Sequence, residues 1–80
     1  MFTRDDAITL SRCRLMCADG SARARVADNR LKLEDVASAV GVTSGTVSRW
    51  FSGEMFPGRD VGLRLAALLD SLPAAEAVHA

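Results

Sequence analysis

Gly41 divides residues 33–53, LEDVASAVGVTSGTVSRWFSG, into two short segments that each carry one apolar face. Val36, Ala37 and Val40 recur at helical spacing before it, and Val47, Trp50 and Phe51 fall at i, i+3, i+4 after it. Gly can take the left-handed conformation that closes a helix at low steric cost, so Gly41 predicts a tight turn between two helices. Val42 is the apolar residue inside that turn. The segments read as helices over 33–40 and 43–52, with Glu34 and Asp35 in the first turn of one, Thr43 or Ser44 capping the other, and Gly53 stopping it. The stretch 36–53 contains no acid, His or Cys. Its regular punctuation points to a presented surface rather than to catalytic chemistry.

The remaining chain continues the helical pattern. Thr3 followed by Asp5 and Asp6 predicts a helix start, with the acids placed well against the helix dipole. Ala7, Ile8, Leu10, Leu15 and Met16 supply its apolar residues, over 3–17. Asp19-Gly20 is a break and offers an N-cap to a second helix over 21–29, with Ala22, Val26 and Ala27 facing inward and Asn29-Arg30 ending it. Residues 53–58, GEMFPG, form a loop. Asp60 caps a fifth helix over 60–72, whose Val61, Leu65, Leu68, Leu69 and Leu72 form an apolar stripe stopped by Pro73. The Ala-rich stretch 74–80 is either a short helix or a frayed end.

With 80 residues the chain holds one domain, residues 1–80. A chain of this length buries only about 60–65% of the surface exposed when unfolded, and the 49% hydrophobic content suffices for a packed core. Aromatics are scarce and β-branched residues are outnumbered by Ala, Leu and Arg, which favours helix over strand. The expected fold is therefore all-α, a compact bundle of about five helices around a central helix-turn-helix.

Formal net charge is zero, which withholds the basic excess common in nucleic-acid binders. The distribution is uneven: residues 21–64 hold seven cations against five acids, whereas 65–80 carry only Asp70 and Glu76. Nine of the ten cations are Arg, a side chain suited to bidentate phosphate and guanine contacts and also favoured by GC-rich codon usage. Cys13 and Cys17, at i, i+4, share one helix face but have no second ligand pair for zinc, and read as reduced, partly buried thiols in a cytoplasmic protein. The lone His79 has no Ser, Cys or acid pattern around it, and no Gly-rich phosphate loop is present. An enzyme is not expected, nor a cofactor or bound metal. The apolar stretches are short and interrupted by Arg, so no signal peptide or membrane span is expected.

Two short helices joined by a tight glycine turn form the helix-turn-helix, whose second helix is presented to the DNA major groove. The outward residues of the 43–52 segment are Thr43, Ser44, Thr46, Ser48, Arg49 and Ser52. Short hydroxyls permit close approach to a groove, and Arg49 has the reach to grip guanine or phosphate. Residues 33–53 resemble the helix-turn-helix of the lambda-repressor-like (Cro/repressor, XRE-type) family. Ala37, Gly41, Val47 and Trp50 stand where that family has its small, glycine and apolar positions. The run V-S-R-W-F-S-G, then Pro57, then an apolar helix, is similar to the end of the family's recognition helix, its loop and the next helix. The match covers about residues 20–72.

The resemblance implies that 21–29 and 60–72 are the family's first and fourth helices and that 3–17 is an addition. It also implies base contacts by Thr43, Ser44, Thr46, Ser48 and Arg49, and phosphate contacts by Lys32, Ser52 and Arg59. Leu33 replaces the Gln that often binds phosphate in this family. Lys32 replaces a Ser or Thr cap, at a cost of about 1 kcal/mol, and Gly45 costs roughly another 1 kcal/mol against Ala.

The expected function is sequence-specific double-stranded DNA binding by a phage-type repressor, a Cro-like protein or a small bacterial regulator. Such a protein would act on a palindromic operator as a homodimer, with the surplus apolar surface of helices 3–17 or 60–72 and the tail as candidate dimer surfaces. The alternative is a protein-interaction adaptor on the same fold. Arg49 and its hydroxyl neighbours discriminate, because a DNA reader needs them and an adaptor does not. Trp50 is expected in the core; for Phe51, adjacent to it, both core and surface stay open.

Overall fold

A computed structural model of the chain describes residues 1–72. The expectations for Pro73, the 74–80 stretch and His79 lie outside the described residues. Five helices follow one another: α1 (Arg4–Asp19), α2 (Ser21–Asp28), α3 (Leu33–Val40), α4 (Ser44–Phe51) and α5 (Arg59–Ser71). The all-α bundle expected from composition and periodicity is what forms among the described residues.

Local chemistry sets the boundaries. Thr3 caps α1 in a reciprocal pair: the Asp6 N–H donates to Thr3 Oγ1 at 3.1 Å, and the Thr3 N–H donates to Asp6 Oδ2 at 3.0 Å. Gly20, at φ 88°, ends α1 and begins α2 at a single corner. There the Asp19 carboxylate accepts from the Ser21 N–H at 2.8 Å. At the end of α2, the Arg30 N–H donates to the Ala27 carbonyl at 2.9 Å and the Leu31 N–H to the Val26 carbonyl at 3.1 Å. This pair is a Schellman closure, and it places Arg30, not a glycine, in the left-handed region at φ 59°.

Three expectations are refined or corrected. The inward face of α1 is Leu10, Cys13 and Cys17, with Met16 packed against the core from one side. Ile8 and Leu15, two of the apolar residues read into this helix, are 57% and 63% exposed. Positions 10, 13 and 17 make one helical stripe, and 8 and 15 lie on the opposite side of the same helix. Ala27 of α2 is also exposed, leaving Ala22 and Val26 as its buried residues. Finally, Gly58 and not Asp60 occupies the cap of α5, with Asp60 in the first turn beside the dipole.

Among the described residues the core is wholly apolar. Val36, Val40, Val47, Trp50, Phe51, Leu65 and Leu69 meet Ala22, Val26 and the two thiols. Trp50 and Phe51 are both buried, because α4 is contacted by α3 on one side and by α1 on another. The largest helix–helix contact joins α1 to α5. Gly62 is buried at that crossing, where a methyl group would overlap Leu10 Cδ1. Two arginines tie distant segments to backbone carbonyls. Arg14 Nε donates to the Pro57 carbonyl at 3.2 Å, and Arg25 Nη1 donates to the Leu69 carbonyl at 3.2 Å.

Candidate nucleic-acid interface

The turn between α3 and α4 fixes how α4 is presented. Gly41 sits at φ 82°, ψ 34°, and the Gly41 and Val42 N–H groups both donate to the Ala37 carbonyl, at 2.8 and 2.9 Å. That closure ends α3, and α4 starts after three intervening residues. Thr43 then caps α4, accepting from the Thr46 N–H at 3.3 Å. At the opposite end Gly53 is again left-handed, and the Glu54 N–H donates to the Arg49 carbonyl at 3.0 Å. A helix of eight residues is marginal alone, so α4 holds its shape through these ends and through the buried Val47, Trp50 and Phe51.

With those three facing inward, the opposite strip is Ser44, Gly45, Arg49 and Ser52, all exposed, with Ser48 half-buried at its edge. The strip follows i, i+4, i+8 along 44, 48 and 52, and i, i+4 along 45 and 49. Every member except Arg49 is small. The strip therefore lets another surface approach the α4 backbone closely, with one long cationic side chain reaching beyond it.

The sequence-derived contact residues do not all fall on it. Thr43 and Thr46 hydroxyls bond to each other at 3.0 Å, and Thr46 is half-buried, so both serve the cap. Ser52 Oγ lies 3.1 Å from the Arg49 carbonyl and 3.2 Å from Glu54 Oε2. The acid brought to that end opposes an anionic ligand there. Lys32 is exposed at the start of α3, and its N–H donates to Asp35 Oδ2 at 2.8 Å. This bond is the Asp35 half of a capping box; the half that a Ser or Thr side chain would give is missing, and the Asp35 N–H donates to the Lys32 carbonyl at 3.0 Å instead. Arg59 stands apart from the strip: its guanidinium lies 5.3 Å over the Phe2 ring and 3.6 Å from Asp60, in a cleft shared with Met1, Asp6 and Leu63.

A cation with no assigned role joins the turn instead. Arg64 on α5 is exposed, and its Nη1 lies 3.8 Å from where a Gly41 β-carbon would stand. Local spacing carries no sign of this contact, since α5 packs against α3 only in the folded chain. Among the described residues Arg59–Asp60 is the one ion pair, so Lys32, Arg49 and Arg64 stand in none. By contrast, Arg25 is committed to the Leu69 carbonyl.

Among the described residues no helix is long and apolar enough to cross a membrane. Compared with known proteins, the chain matches no family model, no curated protein and no solved structure.

Proposed function

We propose that the protein is a sequence-specific double-stranded DNA-binding regulator that inserts α4 into the major groove, as the resemblance to lambda-repressor-like proteins implies. The observation that carries this reading is the outward strip of α4. Its small residues, Ser44, Gly45, Ser48 and Ser52, surround Arg49, on a helix whose other face is locked into the core. A major groove about 12 Å wide admits one helix, and Arg reads guanine through O6 and N7. Ser44 and Ser48 contact neighbouring base edges, while the exposed start of α4, Lys32 and Arg64 position the phosphate backbone. Thr43 and Thr46 contribute through the cap that orients the helix start, and Ser52 and Arg59 contribute less than the resemblance implies. With only Lys32 and Arg64 assigned to phosphate, few counterions are released, so affinity depends more on base contacts and its salt dependence is shallow.

One helix reads few base pairs, so the working unit is a homodimer on two half-sites. The apolar stripe of α5 is consumed by the core, whereas Ile8 and Leu15 remain exposed on α1, which favours α1 as the pairing surface. Selection from a randomised duplex library at two salt concentrations tests the proposal. Enrichment of a short palindrome supports it. Recovery of no preferred sequence at either salt concentration overturns it and directs attention to the adaptor reading.

A further inference from the structure

α1 is the longest helix among the described residues, and its exposed positions are 4, 5, 8, 11, 12, 15, 18 and 19. They form one strip. Positions 4, 11 and 18 stand seven residues apart, as do 5, 12 and 19, and 8 and 15. A recurrence of about 3.5 residues is the one at which a helix packs lengthwise along another. Ile8 and Leu15, the large apolar residues of the strip, are exposed on the side of α1 that faces away from the core.

The order of residues along the strip selects its occupant. Turning the helix end for end exchanges position 4 with 19, 5 with 18, 8 with 15 and 11 with 12, which carries the exposed set onto itself. A second copy laid antiparallel therefore sets Ile8 against the partner's Leu15 and Arg4 against the partner's Asp19, each twice by two-fold symmetry. Ser11, a small residue, stands beside the axis. The last turn of α1 holds Asp19 and no basic residue, although a helix C-terminus favours cations. The partner's Arg4 supplies one. A parallel pair would instead set Arg4 on its own copy and Asp19 on its own copy. In the antiparallel pair the like-charged meeting is that of Arg12 with its copy beside the axis, and Asp70 of α5 lines the same cleft as Arg12.

We propose that two copies of the chain pair through the outer strip of α1, antiparallel about a two-fold axis level with Ser11 and Arg12, with Ile8 on the partner's Leu15 and Arg4 on the partner's Asp19. This register rests on the homodimer reading above but needs no DNA to form. Two large apolar side chains from each copy make a small interface, so the dimer belongs to the weak, concentration-dependent class. Two half-sites on one duplex would raise the effective concentration of the copies and favour the same contact.

Sedimentation equilibrium of the free chain over a series of concentrations, without DNA, measures the association. Ile8→Glu and Leu15→Lys change exposed residues, and far-UV circular dichroism verifies that each variant keeps its helices. The proposal expects the native chain to self-associate. Each variant alone loses about tenfold or more in association, since an unpaired charge then meets an apolar side chain. An equimolar mixture of the two recovers it, because one contact is the native apolar pair and the other joins the introduced carboxylate to the introduced ammonium. Only the antiparallel register brings positions 8 and 15 together. A native chain that stays monomeric throughout overturns the proposal. So does undiminished association of either folded variant, or a mixture no tighter than the variants alone. Any of these alongside a selected palindrome removes the α1 register and leaves the DNA reading standing. Recovery in the mixture with no selected duplex keeps the register and removes the DNA reading.

Discussion

Gly41→Ala and Gly45→Ala make the same chemical change on either side of one turn, and the structure gives them opposite signs. At Gly41 the backbone is left-handed, φ 82° and ψ 34°, and the added methyl meets only Arg64 Nη1 at 3.8 Å, an ordinary contact. The penalty is therefore conformational, about 1–2 kcal/mol for an L-residue in that region. Restricting the unfolded chain returns about 0.4–1 kcal/mol. The net loss is about 1 kcal/mol. At Gly45 the backbone is helical and the nearest atom to a new methyl is Thr43 Oγ1 at 3.9 Å, so nothing opposes the gain, about 0.5–1 kcal/mol. For a domain of this size each kcal/mol moves Tm by about 4–8 °C. Urea and thermal unfolding followed by circular dichroism measure both, with the denaturant slope unchanged in each variant. Shifts of the same sign would refute the reasoning. So would a fall in stability for Gly45→Ala, which would mean that the outer face of α4 is not open.

Arg30→Gly relieves the left-handed Arg at the end of α2, with a gain of about 0.5–1 kcal/mol after the entropy of the freer unfolded chain is deducted; a lowered Tm would contradict the Schellman assignment. Leu65 is fully buried, so Leu65→Ala costs about 2–5 kcal/mol in urea unfolding, and a loss well under 1 kcal/mol would mean the core is mis-assigned. The Asp19 carboxyl is held below its usual range by hydrogen bonds from the Ser21 side chain and backbone. A depressed folded-state value contributes stability above the unfolded value and loses it as pH falls through the folded one. Asp19→Asn therefore shows a smaller drop in urea midpoint between neutral and acid pH than the native chain, and an equal drop would count against the bond.

The turn and both of its helices were legible because their signals are local: a glycine where φ is positive, a Thr cap, and apolar residues at helical spacing. The inward face of α1 was not legible. Its sequence holds two apolar sets on opposite sides, and the larger pair, Ile8 and Leu15, is the exposed one. What decides between them is α5, whose buried Gly62 and Ala66 leave room for Leu10 and Cys13. Such a choice depends on a partner some fifty residues away and leaves no mark in the helix itself. The bonds of Arg14 and Arg25 leave no local mark for the same reason, since the carbonyls they reach are 43 and 44 positions distant. Arg30 escapes because a non-glycine residue occupies a glycine conformation. On the candidate interface, Arg49 and the small residues around it were readable from periodicity. The commitment of Thr43 and Thr46 to each other, the pull of Glu54 on Ser52, and the arrival of Arg64 at the turn all required the folded chain.

The central claim is that α4 reads base edges through Arg49. The most direct measurement compares the native chain, Arg49→Ala and Lys32→Ala on the selected duplex and on duplexes with single base-pair changes. The account predicts that Arg49→Ala loses about 1–3 kcal/mol on the selected site and becomes indifferent to the base pair that Arg49 contacts. Lys32→Ala should weaken all duplexes alike and flatten the salt dependence. Unchanged affinity and unchanged base preference in Arg49→Ala would contradict the claim.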